Sequence, residues 1–511
     1  MNRWLIASAV MSCAVMEVLD TSVVNVSLPH IAGSLSATVD EATWVLTSYL
    51  VANAVILPLT GWLANYIGRK RLLLTVVTGF TASSVLCGLA PNLPLLIFFR
   101  VLQGTTGGGL QPLSQAVLLE EFPPEDRGKA MGFWGLGIVA APILGPTLGG
   151  WLTETYSWRW VFYINLPIGL LSLLMISLFL YDPPYIRRGS LRVDLWGMGM
   201  LVVGMGALQI MLDKGQEDDW FGSHFIVILA VTAGVMLTAF VIRELYVDHP
   251  IVHFRLLKHR SFGAGIGLVT VLGFVLYGSL VLLPLFMQEL LGWTAVTAGF
   301  WTSPRGIGTA LFMPLVGYLL SKVRDGRWML VLGFVVASLA FFGYSRMDLQ
   351  SGTWDILWYQ INQGAGLAFI FVPLTTLAMD PIPRAEMGYA TSLYSVVRNV
   401  GSSMGISFVT TWIARRSQFH QSILVAHVTP YSPQAQRFLA QAREFLVHSG
   451  SDRTTAARRA PALLYGMIQR QASLLSFVEV FRIMGFLFLA TIPLVLLMRK
   501  PAQRGAPRAS H

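Results

Sequence analysis

Runs of about 20 apolar residues recur along nearly the whole chain, separated by short polar connections, and no other feature limits its fold as tightly. A helix of that length crosses the roughly 30 Å hydrocarbon core of a bilayer. In lipid, only a helix or a closed barrel satisfies its own backbone hydrogen bonds. Fourteen spans are predicted, at about 4–29, 42–64, 71–90, 93–119, 131–152, 160–180, 195–212, 225–242, 262–288, 295–319, 328–345, 354–378, 389–412 and 477–498. Composition agrees: 54% of the 511 residues are hydrophobic and 12% are charged, against roughly 25% charged in an ordinary soluble chain. The first span has too long an apolar core, and no small-residue cleavage site, to be a signal peptide, so it is expected to remain as an anchor. The expected fold class is an all-α polytopic membrane protein.

The net charge of +10 reflects topology rather than a nucleic-acid surface. With the N-terminus inside, the inner connections and both tails carry 21 Lys plus Arg, among them Arg69, Lys70, Arg71, Arg187, Arg188, Arg192, Lys322, Arg324 and Arg327. The short outer connections carry three, Arg159, Lys214 and Arg346. By the positive-inside rule both termini are then cytoplasmic. Eight further Arg lie in a long stretch at about 413–476, predicted outside and too long for the rule to count. Pieces of it such as "PQAQRFLAQAREFLVH" read as short amphipathic helices outside the membrane. Cys13 and Cys87 both fall within spans, so neither a disulfide framework nor a metal site is implied, and no nucleotide-binding loop or zinc signature occurs. No cofactor, nucleic-acid partner or enzyme chemistry is expected.

An internal repeat organises the spans. "PLTGWLAN" at 58–65 recurs as "PLVGYLLS" at 314–321, an offset of 256. Leu28-Pro29 answers to Leu283-Pro284, Gln103-Gly104 to Gln363-Gly364, Met131-Gly132 to Met387-Gly388, and Gly145 and Gly149 to Gly401 and Gly405, all at offsets of 255 to 260. Residues 1–182 are thus expected to form one six-helix half and 261–498 a second, which includes the long outer stretch. Residues 183–260 would be a two-helix insert with flanking inner loops, and 499–511 a basic tail. Two repeated halves around a midplane site is the plan of a secondary transporter.

Charges inside the spans need a reason, since one at the bilayer centre costs at least about 3 kcal/mol on insertion scales. Glu17 and Asp20 are three apart and face one side of the first span, whereas their repeat counterparts are Leu272 and Val275. Arg100 lies in the fourth span, with Gln360 as its counterpart, and its candidate partners are Asp20 and Glu17. An acid that alternately meets water and Arg100 is a candidate proton carrier, with Asp20→Asn expected to leave stability nearly intact. A static Asp20 to Arg100 bridge is the alternative. Arg305, which follows Pro304, and Arg398 are candidate cavity residues, Arg305 favouring acidic or amphiphilic substrates. Glu479 and Arg482 are spaced for a local ion pair.

"LDTSVVNVSLP", "GWLANYIGRKR", "RVLQGTTGGG", "GPTLGG" and "WRWVFYINLP" together resemble the signature set of the fourteen-helix drug:proton antiporters of the major facilitator superfamily, over essentially the whole chain. "LQIMLDKGQEDDWF" and "FVPLTTLAM" are most similar to the EmrB type. The resemblance implies proton-driven efflux of amphipathic toxic small molecules across a bacterial inner membrane. It also implies two partners, a periplasmic adaptor (membrane fusion protein) and an outer-membrane channel of the TolC type. Asp20 and Arg100 become its coupling residues, while Glu17 is outside that motif. Gly61, Asn65, Gly68, Arg69, Lys70 and Arg71 become a cytoplasmic gate loop. The family usually carries Asp where this chain has Asn65. Arg69, Lys70 and Arg71 either latch onto Glu125 and Asp126 or simply anchor the topology. Gly145, Pro146, Gly149 and Gly150 mark the antiporter helix, where packing and gating are both open. Export of one metabolite such as a siderophore or fatty acid, uptake by a proton symporter of the same fold, and a membrane sensor or assembly platform remain as alternatives. The long outer stretch is expected to dock the adaptor.

Overall fold

The computed structural model describes residues 3–182, 194–247, 250–323, 325–429 and 431–499. Arg187, Arg188, Arg192, Arg324 and the tail beyond Arg499 lie outside them. Among the described residues nineteen α-helices follow in order: α1 (Arg3–Ser34), α2 (Val39–Ile56), α3 (Thr60–Ile67), α4 (Arg69–Leu89), α5 (Leu93–Gly107), α6 (Leu110–Glu121), α7 (Arg127–Thr155), α8 (Trp160–Tyr163), α9 (Asn165–Phe179), α10 (Leu195–Lys214), α11 (His224–Tyr246), α12 (Arg260–Leu285), α13 (Ala295–Lys322), α14 (Arg327–Tyr344), α15 (Thr353–Met379), α16 (Met387–Ala426), α17 (Pro433–His448), α18 (Arg453–Ala490) and α19 (Ile492–Leu497). Every predicted window is helical. Eleven helical segments among the described residues are long and apolar enough to cross a membrane. The windows at 93–119, 295–319 and 389–412 fall short of that measure. The first is divided between α5 and α6 at Gly108 and Gly109, and the other two are diluted by inward polar residues such as Arg305, Thr309, Ser395 and Arg398.

The ends of the bundle differ in how they are built. At the end that carries Asn92, side-chain oxygens of Thr38, Asn92, Thr294, Ser432 and Asp452 accept backbone N–H groups of the helices they precede. These caps satisfy donors that a helix start leaves unpaired. At the opposite end the chain reverses between α3 and α4 through Gly68 at φ 98°, a backbone conformation open to glycine at little cost.

In the N-terminal bundle α1 packs on α6, α7 and α9, and α5 packs on α2 and α4. In the C-terminal bundle α12 packs on α16, α15 on α13 and α14, and α18 on α14 and α16. The bundles meet at the Gly68 end. A Cβ on Gly61 would lie 2.7 Å from the Gly388 carbonyl oxygen, and one on Gly132 would lie 2.9 Å from that of Met313. Ser392 Oγ donates to the Leu57 carbonyl, and Trp134 stacks on Phe371 with ring centroids 5.9 Å apart. This end is closed. Helices α10 and α11 pair with each other, and α10 bonds to both bundles. Thr47 donates to Asp213 and Lys214 Nζ donates to Thr43 (2.8 Å) on one side; Gln209 donates to Ser403 (2.8 Å) and Trp220 Nε1 to Thr411 (2.9 Å) on the other. Lys214, expected in a loop, ends α10 and is buried.

Two expectations are corrected. The stretch at 413–476 is mostly the continuation of two spanning helices, since α16 runs to Ala426 and α18 starts at Arg453; α17 alone is a separate amphipathic helix, packed on α18. The end of an apolar window marks where lipid stops, not where helix-favouring sequence does. Glu479 pairs with Arg416 (2.7 Å) and His420 (2.9 Å) of α16 instead of Arg482, which faces outward.

Candidate functional site

Asp20, in the middle of α1, is fully buried, and two helices bring three donors to it. From α5, Arg100 Nη1 reaches its Oδ2 at 2.7 Å and Gln103 Nε2 its Oδ1 at 2.9 Å. From α9, Asn165 Nδ2 reaches the same Oδ1 at 2.6 Å. Arg100 also donates to Gln103 Oε1 (2.7 Å) and the Val45 carbonyl (3.0 Å), and its guanidinium lies 4.1 Å from the centre of the Tyr49 ring. Ser84 extends the network by accepting from Asn165 at 2.9 Å. Neutral hydrogen bonds and a cation–π contact thus surround one dry ion pair, the arrangement a charge needs to persist away from water.

Glu17, one turn away on the same face, joins a different set. Asn53 donates to its Oε1 at 2.9 Å, while Oε2 meets no donor at hydrogen-bonding geometry among the described residues. Gln111 of α6 lies beside it and accepts from Arg398 Nη2 of α16 at 2.7 Å. Arg398 is a cation whose field reaches Glu17, and its contact with Gln111 spans the two bundles. Arg100 therefore takes Asp20 and leaves Glu17 to the interface. Arg305, on α13, has no carboxylate partner among the described residues.

The gate-loop residues separate on inspection. Arg69 is buried against Glu120 of α6, not Glu125 or Asp126; Asp126 instead pairs with Lys129. Glu120 serves because α6 continues to Glu121, so its last turn, rather than the following loop, lies by the start of α4. Lys70 donates its backbone N–H to Asp182 (2.8 Å) and its Nζ to the Ser177 carbonyl (2.7 Å), and Arg71 is exposed. Asn65 lies against the Tyr389 hydroxyl of α16. On the Tyr389 ring the His253 imidazole stacks at 3.9 Å. Burial holds the His253 pKa below its usual value; Glu386 opposes that shift and Arg255 adds to it.

On α7, a Cβ at Gly145 would meet Ser22 at 2.2 Å and one at Gly149 the Val23 carbonyl at 2.8 Å, so both let α1 approach. Gly150 faces open space, and Pro146 sits inside the helix. Gly401 and Gly405 repeat the contact between α16 and α12.

Gln103, Asn165, Asn53, Gln111 and Tyr49 were not among the expected site residues. Gln103 shares a helix face with Arg100 at i, i+3, and Asn165 lies in "WRWVFYINLP"; the convergence of α1, α5 and α9 on one carboxylate has no local sequence signal.

Two helical bundles closed at one end, with buried acid–base pairs inside the first and an Arg398 to Gln111 contact between the two, define a polytopic membrane transporter. A family model described as Major Facilitator Superfamily matches residues 10–406. The multidrug export protein EmrB of Haemophilus influenzae is 40% identical over 481 residues, covering 93% of this chain and 92% of that protein. The fatty acid resistance protein FarB of Neisseria gonorrhoeae is 38% identical, covering 96% and 95%. Among solved structures, the human organic anion transporter MFSD10 aligns over 96% of this chain and 100% of its own with a TM-score of 0.61 at 13% identity, a likeness of fold. The chain belongs to the Major Facilitator Superfamily.

Proposed function

We propose that the protein exports amphipathic toxic compounds by drug:proton antiport, with Asp20 as the proton-carrying acid and Arg100 as its switchable partner. The observation that carries this reading is the one-sided charge. A fully buried Asp20 is held by Arg100, Gln103 and Asn165 in one bundle, while the repeat places Val275 and Gln360 at the corresponding positions of the other. Packing alone needs no such asymmetry. When the bundles rock, water that reaches Asp20 competes with Arg100 for it, and a proton can bind as the guanidinium withdraws. Each inward proton at about 150 mV supplies roughly 3.5 kcal/mol, enough for a neutral substrate gradient of a few hundred-fold. The names of the relatives, multidrug export and fatty acid resistance, support export as the direction and amphiphiles as the cargo.

In this reading the chain divides at about 182 and 260 into half, insert and half. It lies in a bacterial inner membrane with both termini cytoplasmic, so the closed Gly68 end faces the cytoplasm. The α16–α18 extension with α17 faces the periplasm, where its exposed Phe419, Ile423, Phe445 and Tyr465 suit docking to an adaptor that leads to a TolC-type channel. Fatty acid export is a second reading, favoured by the FarB relative. The test is substrate-induced proton release from proteoliposomes across a compound panel. Release with cationic, neutral and anionic amphiphiles supports a broad antiporter; release with fatty acids alone supports the second reading, and substrate uptake with inward protons refutes export.

A further inference from the structure

Among the described cations that face the interior of the spans, Arg305 is the one with no acid beside it. Arg100 has Asp20, and Arg398 has Glu17 in its field. Arg305 has the Ser279 hydroxyl, 3.4 Å from its Nη1, and no acid among the described residues. It is surrounded by protein yet keeps part of its surface accessible. Ser279 also accepts from Gln363 Nε2 at 3.1 Å, and Gln363 Oε1 accepts from the Tyr344 hydroxyl at 3.2 Å. Gln360, one turn from Gln363 on the same face of α15, is fully buried, and neither of its amide atoms has a partner. An unneutralised guanidinium and an unsatisfied buried amide on neighbouring helices are both costly in a folded protein.

The repeat explains what is missing. An offset of 256 sets Arg305 where Tyr49 lies beneath Arg100, an offset of 260 sets Gln360 and Gln363 at Arg100 and Gln103, and an offset of 255 sets Val275 at Asp20. The C-terminal bundle thus keeps the donors of the ion-pair site, carries its cation on α13 instead of the packed neighbour α15, and omits the carboxylate. We propose that Arg305, with Ser279, Gln360 and Gln363, forms a subsite for the carboxylate or sulfonate headgroup of an anionic amphiphile, whose acid takes the place that Asp20 fills in the other bundle. The guanidinium fork suits two oxygens of one planar carboxylate. The inference rests on the export reading for the identity of the ligand as cargo.

Binding to purified full-length protein, with no gradient present, separates the two ideas. Dodecanoate and dodecyltrimethylammonium are matched probes, and tryptophan fluorescence reads their affinity. Arg305→Gln is expected to weaken dodecanoate by about tenfold or more, the loss of one charge-assisted contact, with dodecyltrimethylammonium unchanged and Arg305→Lys partly restored. Arg305→Gln should also raise the melting temperature of the ligand-free protein, because it removes an unpaired cation. Should that variant fail to fold, Gln360→Leu is measured the same way and should weaken dodecanoate alone. Unchanged dodecanoate affinity, or equal loss for both probes, overturns the subsite. Complete displacement of dodecanoate by physiological chloride overturns it in favour of an inorganic-anion site. Arg305-dependent binding without proton-driven transport upholds the subsite and defeats the export reading instead.

Discussion

Asp20→Asn is the most informative substitution, because the structure fixes what it disturbs. The carboxylate accepts three hydrogen bonds, from Arg100, Gln103 and Asn165, and among the described residues carries the only negative charge that Arg100 touches. An asparagine keeps one acceptor oxygen and turns its NH2 toward donors it cannot satisfy. Arg100 would retain Gln103 Oε1, the Val45 carbonyl and the Tyr49 ring, all neutral, and it cannot shed its proton. Breaking one side of a buried pair costs about 3–5 kcal/mol. The expectation of nearly intact stability, reasonable for an acid facing a wet cavity, is therefore revised to a clear loss. Arg100→Gln in the same background removes the orphaned charge and should recover most of that loss. Melting temperature in detergent reads the stability, and pH-driven efflux from proteoliposomes reads the coupling. Single and double variants should both lack pH-driven efflux while only the single is unstable. Wild-type proton-coupled efflux by Asp20→Asn would refute the coupling role. An unchanged melting temperature would refute the buried-pair reasoning and mean that Arg100 readily swings to water.

The remaining expectations concern the interface, the gate and the outer extension. Glu17→Gln, which leaves Arg398 facing a neutral side chain across the bundles, should shift the pH optimum of transport or narrow the range of cationic substrates; an unaltered pH–rate profile and substrate range would remove Glu17 from the mechanism. Gly61→Val places methyl groups into the Gly388 backbone, whose oxygen a Cβ alone would approach to 2.7 Å, so cysteine labelling from the Gly68 end should rise and transport should fall by about tenfold or more, as an overpacking cost of 1–3 kcal/mol implies. The His253 pKa is depressed from 6.5 by burial, so the stack on Tyr389 holds its full stability above that value and loses it as the pH falls below it, levelling off once the folded-state pKa is passed. His253→Phe should abolish this acid-side drop in melting temperature, and persistence of the drop would assign it to another group. Shortening 427–452 should spare transport in proteoliposomes but lower whole-cell resistance; equal loss in both would make α17 a folding element.

The spans were legible because each helix must satisfy its own backbone in lipid, which writes itself locally as an apolar run. Asp20 and Arg100 were legible for the converse reason: charge in such a run is too costly to be incidental. What was not legible depends on angles between distant helices. Glu120 was passed over for Glu125 and Asp126 because loop acids look closer to a loop arginine, whereas the last turn of α6 lies nearer. Glu479 was paired with Arg482 by helical spacing, yet Arg416 and His420 approach from α16 across the helix interface. Spacing within one helix states which side chains share a face, and only packing states what that face meets.

The placement of charge constrains the order of events in a transport cycle. The Asp20 pair lies wholly inside the N-terminal bundle, so rigid rocking need not break it, and in the proposed antiport protonation would. The Arg398 to Gln111 contact spans the bundles at mid-depth, together with Gly61 against Gly388, Gly132 against Met313 and Ser392 against Leu57 at the closed end. Those contacts must open when that end does, which would strip Arg398 of Gln111 while Glu17 keeps Asn53. Helix α10 is bonded to α2 through Thr47 and Thr43 and to α16 through Ser403, with Trp220 beyond its end reaching Thr411. It therefore acts against any motion that separates those two helices, and it leaves rotation about that tether as the least costly one. A tether near the Asn92 end and a breakable contact at the other would make the proposed cycle a hinge that opens at the Gly68 end. Under the proposed antiport, a proton on Asp20 would loosen Arg100 from α1, the helix whose Ser22 and Val23 pack against Gly145 and Gly149 of α7. In that proposal, coupling between Asp20 and the closed end would need no longer path than α1 and α7 themselves, because α7 also supplies Gly132 and Trp134 to the closed end.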